Sequence, residues 1–194
     1  MFNHFFSKKS PLVFGERQDM TEGSESADLA ATLLIAPTAL MPLTHEEARV
    51  VVRYMQPQRV AKGTLFIRQG DARDTGFMLL LLDGEVRVEN MVASRVEPMT
   101  ITVLGRGSLI GELGLLDGQP RYASCIAATP LRCAVLTREA LQQLMLENPH
   151  IAAKLILTLS LHIAVRLRES TDKLRMYVQL TQAMQQEIGS QADA

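Results

Sequence analysis

Residues 107–124, "GSLIGELGLLDGQPRYAS", decide how the rest of this chain is read. They place a carboxylate, Glu112, and a guanidinium, Arg121, around Gly111, Gly114, Gly118 and Pro120. Two chemistries suit that pattern. A turn of bare backbone amides, with an acid at one end and an arginine at the other, suits a phosphate ester beside a sugar hydroxyl. The same residues also make a tight bend between strands, closed by an ion pair.

Around this stretch, from Gln58 to Leu136, the chain consists of short β-rich runs separated by glycine: "RVAKGTLFIRQGD", "GFMLLLLDGEVRVEN", "MTITVLGRGSLIGE", "YASCIAA" and "LRCAVLT". Many short strands with no helix between them predict an antiparallel roll or sandwich. The Asp83-Gly84 pair predicts a hairpin between "FMLLLL" and "EVRVEN". Upstream, Thr44 and Glu47 in "THEEARVVVRYM" carry the reciprocal capping signature of a helix start, with Ala48, Val51, Val52 and Met55 on one face. Downstream, Thr137 caps "REALQQLMLE" and Asn148-Pro149 interrupts it.

A long helix is then expected over residues 151–188. Leu167, Leu174, Thr181 and Ile188 recur every seven residues, as do Ile163, Ser170, Tyr177 and Met184. A seam of that period implies a partner helix, most simply a second copy in a homodimer. Arg166 and Lys173 flank the seam.

With 194 residues, 47% of them hydrophobic, the chain buries one full core. A net charge of −1 provides no general field for gripping nucleic acid or an acidic membrane surface. Cys125 and Cys133, in an apolar stretch, read as core residues of a cytoplasmic protein rather than a disulfide or metal site. No uninterrupted apolar run reaches the roughly 18 residues of a membrane span. The polar run "QDMTEGSESAD" reads as part of a flexible N-terminal tail, residues 1–40. The folded units are then 41–150, the roll with its short helices, and 151–188, the long helix, with a tail at 189–194. His4, His45, His150 and His162 show no metal-ligand spacing, and no nucleophile elbow or phosphate loop is present. No catalytic residue, metal or cofactor is therefore expected.

Helix, glycine-punctuated roll and long helix, with "GTLFIRQGD", "LLLLDGEVRV" and the opening stretch, resemble the cyclic-nucleotide-binding domain of the Crp/Fnr superfamily over residues 44–175. The resemblance implies a mainly β fold with flanking α-helices: an antiparallel, jelly-roll-like β-roll followed by a dimerisation helix. It implies a sensor that binds a cyclic nucleotide such as cAMP or cGMP, or another small anion, and signals through dimer geometry to an unknown effector protein. The alternative it leaves is a dimeric roll, ligand-free or differently liganded, that serves as a structural or protein-interaction module.

Carried over residue by residue, Gly111 lets the backbone approach the ligand and Glu112 accepts a hydrogen bond from the ribose 2′-hydroxyl. Leu113 presents its amide, Arg121 pairs with the phosphate, and an amide of Tyr122 or Ala123 adds to it. Tyr122 departs from the small residue usual in the family, so its ring must point outward. Ser170 and Thr171 stand where relatives use a Thr-Ser pair to reach the base across the dimer. Leu109, Ile110, Leu113 and Leu116 would pass the signal to Leu155 and Leu159, with a hinge at Asn148-Pro149. Relatives that regulate transcription continue into a winged helix-turn-helix. This chain ends at Ala194, so direct sequence-specific DNA binding is not expected.

Overall fold

The structure, a computed structural model, describes residues 24–90 and 99–192, with side chains up to residue 184 of the last helix. In chain order the elements are α1 (Glu25–Leu34), α2 (His45–Arg53), β1 (Gln56–Val60), β2 (Leu65–Ile67), β3 (Phe77–Asp83), β4 (Val86–Asn90), β5 (Met99–Leu104), β6 (Leu109–Ile110), α3 (Glu112–Asp117), β7 (Ser124–Ala127), β8 (Leu131–Thr137), α4 (Arg138–Glu147) and α5 (Pro149–Ala192). The strands form two antiparallel four-stranded sheets, in the orders β1-β8-β3-β6 and β2-β7-β4-β5. This is the antiparallel β-roll with flanking helices and a long C-terminal helix that the sequence leads one to expect.

Strand β3 shows how the layers meet. Its run "FMLLLL" is buried at every position because alternate residues face two different cores. Phe77, Leu79 and Leu81 pack between the sheets with Val86, Ile110, Cys125, Cys133 and Val135. Met78, Leu80 and Leu82 pack beneath the helices with Val51, Met55, Leu144, Leu155 and Leu159. Both cysteines are free and buried. Burial pushes each thiol up to about 12.

Two sequence expectations change ahead of the C-terminal helix. The tail does not extend to residue 40, because Ser24 caps α1 by accepting from the Ala27 amide at 3.2 Å. Ala27, Ala30, Ala31 and Leu34 then bury one face against α2 and β3. Residues 1–23 lie outside the described residues. The Asp83-Gly84 turn is not a hairpin: β3 pairs with β8 and β6, whereas β4 pairs with β5 and β7. The turn carries the chain from one sheet to the other. Gly84 is required there, since its φ is +96° and a Cβ would lie 2.5 Å from the Pro130 carbonyl oxygen.

The helix ends follow the sequence signals. Thr44 and Glu47 make the capping box of α2, and Thr137 accepts from the Ala140 amide at 3.2 Å to cap α4. Asn148 closes α4 and Pro149 opens α5. Helix α5 is 44 residues long and continues through 189–192, where a tail was expected. Its first turns dock on the domain through Ala152, Leu155, Thr158 and Leu159 and through the Lys154–Glu47 ion pair at 2.7 Å. Pro149–Met184 is long and apolar enough by length and mean hydropathy to cross a membrane, although Lys154 interrupts its apolar run.

Candidate functional site

Strand β6 ends at Ile110 and the chain turns at Gly111 into α3. Gly111 has φ +85°, and a Cβ there would lie 2.7 Å from Arg121 Nη1, so the turn admits no side chain. No side chain caps α3. The first amides of a helix have no partner within it, so the α3 start suits an anion.

A cavity of about 280 Å³ opens over this turn. Its walls include Gly111, Glu112, Leu113, Arg121, Tyr122 and Ala123, so the structure gathers all six cassette residues singled out in the sequence. The size lies just below the range of ordinary small-ligand clefts, roughly 300–1,000 Å³. Tyr122, one of the lining residues, is 75% exposed.

The two charged residues are organised differently from the simplest reading. Arg121 is only 5% exposed and is bound to the protein's own main chain. Its Nη1 donates to the Gly111 carbonyl at 2.8 Å, and its Nη2 donates to the Asp74 and Phe77 carbonyls, each at 2.9 Å. Its Nε donates to the Asp74 carbonyl at 3.1 Å. The guanidinium also lies 4.4 Å over the Phe77 ring. Of its five N–H donors, four are occupied in this way, which leaves one on Nη1. Burial pulls its pKa down, countered by Cys125, Asp71, Asp74 and Glu112. The Gly70-Asp71 turn holds its backbone: the Arg121 amide donates to the Asp71 carbonyl at 2.9 Å, and the Gly70 amide to the Arg121 carbonyl at 2.8 Å.

Glu112, 2% exposed, pairs with Arg166 of α5 rather than with Arg121. Arg166 Nη1 donates to Glu112 Oε1 at 2.7 Å, and its Nη2 donates to the Leu109 carbonyl. Arg166 therefore enters the cavity wall instead of merely flanking the helix seam. Sequence reasoning missed this because the partners are 54 residues apart and nothing local marks an arginine in "HIAVRLRE" as inward-facing. Arg138, at the start of α4, holds the other end of the cassette, donating to the Gly114 carbonyl at 2.6 Å and the Leu115 carbonyl at 3.2 Å. Helices α4 and α5 are thus both wired to α3.

Ser170 and Thr171 do not reach the cavity of their own chain. Both are exposed on α5, and Thr171 Oγ1 donates to the Leu167 carbonyl at 2.9 Å. The expected apolar relay is also partial. Leu109 shares a core with Leu155 and Leu159, whereas Leu113 and Leu116 stand exposed at the cassette surface. Among the described residues no group of histidine, cysteine and carboxylate side chains could hold a metal.

Set against known proteins, residues 57–148 match the family model described as "Cyclic nucleotide-binding domain". The crystal structure of a cyclic nucleotide-binding domain from Methylobacillus flagellatus superposes with a TM-score of 0.71 at 32% identity, covering 78% of this chain and 83% of that one. The cGMP-dependent protein kinase, isozyme 1, of Drosophila melanogaster is 30% identical over 128 residues, 65% of this chain and 16% of the kinase. The CRP-like cAMP-activated global transcriptional regulator of Mycobacterium tuberculosis is 25% identical over 140 residues, 72% of this chain and 56% of that protein. The chain therefore spans a sixth to about half of these curated relatives.

Proposed function

This chain belongs to the cyclic nucleotide-binding domain family, and from that premise we propose that it is a regulatory module which takes cAMP or cGMP into the cavity over α3. The observation that carries the reading is the convergence of an uncapped α3 start, Arg121, Glu112 and Arg166 on one cavity. The cyclic phosphate sits against the α3 amides, with the remaining Nη1–H of Arg121 and an amide of Tyr122 or Ala123 beside it. Glu112 spends Oε1 on Arg166, and Oε2 accepts from the ribose 2′-hydroxyl. No step of this requires a covalent reaction, a metal or a cofactor.

Output runs through α5. Ligand binding acts only by the difference in its affinity for two arrangements of cassette and helix. Here the Arg166–Glu112 pair and the Arg166–Leu109 bond make cassette position and α5 position interdependent. Two copies paired through the α5 seam would bring Ser170 and Thr171 of one chain toward the base in the other and present a ligand-dependent geometry to a cytoplasmic effector protein. One observation favours a second reading, a ligand-independent dimeric roll: the Arg121 guanidinium is already almost fully satisfied by carbonyls.

Calorimetric titration with cAMP and cGMP separates the two. Saturable binding supports the sensor. A charged hydrogen bond is worth about 1.5–3 kcal/mol, so Glu112→Gln should weaken binding roughly ten- to hundred-fold while the roll stays folded. Absence of binding by either nucleotide rejects it.

A further inference from the structure

The apolar side chains that wall the cavity over α3 fall into two sets. Ile67 and Ile110 are 5% and 3% exposed and belong to the core between the sheets, with Val88 and Leu104 packed partly buried against it. Leu113 and Tyr122 line the same cavity but are 44% and 75% exposed. The first set is already out of water and makes the floor. The second gives up its contact with water only when something covers it, and makes the rim.

The charged groups of the wall are matched to a phosphate and a sugar, and no group of this chain's own wall has so far been matched to a base. Glu112 and Arg166 pair with each other, and Arg121 keeps one free N–H. Ser170 and Thr171 lie exposed on α5, outside the wall. Tyr122 is the aromatic residue in the wall, and among the described residues no other aromatic lines it. The cavity, about 280 Å³, is also smaller than the roughly 300–1,000 Å³ of clefts that enclose a whole ligand. A nucleotide anchored by its phosphate at the α3 start therefore extends to the rim.

We propose that the ring of Tyr122 stacks on the base of the bound cyclic nucleotide, with Leu113 as the apolar contact beside it. This rests on the proposed function and assigns, within that site, the residue by which a single chain holds the base. The amide of Tyr122 is already placed beside the phosphate, so the anion contact and the base contact belong to neighbouring atoms of one residue. A tyrosine suits the rim because its ring offers a flat apolar face while its hydroxyl stays in water, and ordering it fixes only two side-chain torsions. Stacking reads the face of a base and not its hydrogen-bonding edge. Tyr122 therefore strengthens binding of adenine and guanine nucleotides alike and leaves the choice between them to polar groups.

Calorimetric titration of the whole chain with cAMP and with cGMP tests this, alongside Tyr122→Ala and Tyr122→Phe. The alanine variant should bind both nucleotides about 5- to 150-fold more weakly, the loss seen when a side chain stacked on a base is cut to alanine. The phenylalanine variant should bind as wild type does, and neither substitution should move the melting temperature of the nucleotide-free protein. Tyrosine emission gives a second reading, since the chain has three tyrosines and no tryptophan. Tyr54 is buried and bonded to Glu147, and Tyr177 lies out on α5. Nucleotide should quench emission in wild type and not in Tyr122→Phe, and this comparison decides the matter even if Tyr122→Ala melts early. No binding of either nucleotide by wild type rejects the proposed function and this inference with it. Binding that is unchanged or tightened in Tyr122→Ala, a loss that Tyr122→Phe fails to recover, or quenching that persists in Tyr122→Phe overturns the stacking and leaves the proposed function standing.

Discussion

Arg121→Ala should unfold the roll more readily even where no ligand is present. The family resemblance gives this arginine to a bound phosphate, and the plainer reading of the same stretch gives it an ion pair that closes a bend. The structure instead shows its guanidinium tying three main-chain carbonyls together, at Asp74, Gly111 and Phe77, over the Phe77 ring. Truncation leaves those acceptors without their donor, each at about 1–3 kcal/mol, and water entering the space recovers part of it. A net loss of about 3–5 kcal/mol is expected, in line with removal of one partner from a buried charged network. For a chain of this size each kcal/mol moves the melting temperature by about 2–4 °C, so the shift should be about 6–20 °C downward. Arg121→Lys should recover only part of this, because one ammonium cannot reproduce the planar fork. Scanning calorimetry without nucleotide is the assay. A melting temperature within about 2 °C of wild type would refute the structural role.

Three further outcomes follow from the same geometry. Gly84→Ala should destabilise by at least the roughly 1–3 kcal/mol of a strained backbone, because a positive φ coincides with a clash against the Pro130 carbonyl, and urea unfolding would show it. Lys154 and the Thr44 amide hold the Glu47 carboxyl below its ordinary range, so this pair adds stability that is fully present above the unfolded carboxyl pKa and is lost as pH falls through the lower folded value. Lys154→Met should flatten that part of the acid-stability curve. Cys125 and Cys133, with thiols pushed up to about 12 by burial, should resist a thiol reagent in the native protein and both react at once on unfolding.

What could be read from the sequence was whatever is encoded locally. The capping box of α2, the Thr137 cap of α4 and the Asn148-Pro149 break depend on residues a few positions apart, and each stands where its signal lies. The cassette was legible for the same reason, since Gly111 to Ala123 is a single stretch. Most of the misses depend on contacts that are long-range. Asp83-Gly84 has the chemistry of a hairpin turn, but sheet pairing is settled by partners elsewhere, and β8 outcompetes β4 for the edge of β3. Helix α1 was hidden because the polar residues Ser24, Glu25, Ser26 and Asp28 outweigh the alanines in composition, although Ala27, Ala30, Ala31 and Leu34 form an apolar stripe once a surface exists to receive it. The inward turn of Arg121 and the reach of Arg166 to Glu112 depend on backbone carbonyls and side chains that only the closed roll brings together.

The central claim is that a cyclic phosphate rests on the bare amides that open α3, with Arg121 and Glu112 at its two ends. Amide proton–nitrogen spectra recorded through a cAMP titration test this most directly. The account predicts saturable shifts concentrated at Leu113, Gly114, Tyr122 and Ala123, with a secondary response around Arg166. Saturable binding whose shifts fall elsewhere, or spectra unchanged at any cAMP or cGMP concentration, would contradict it.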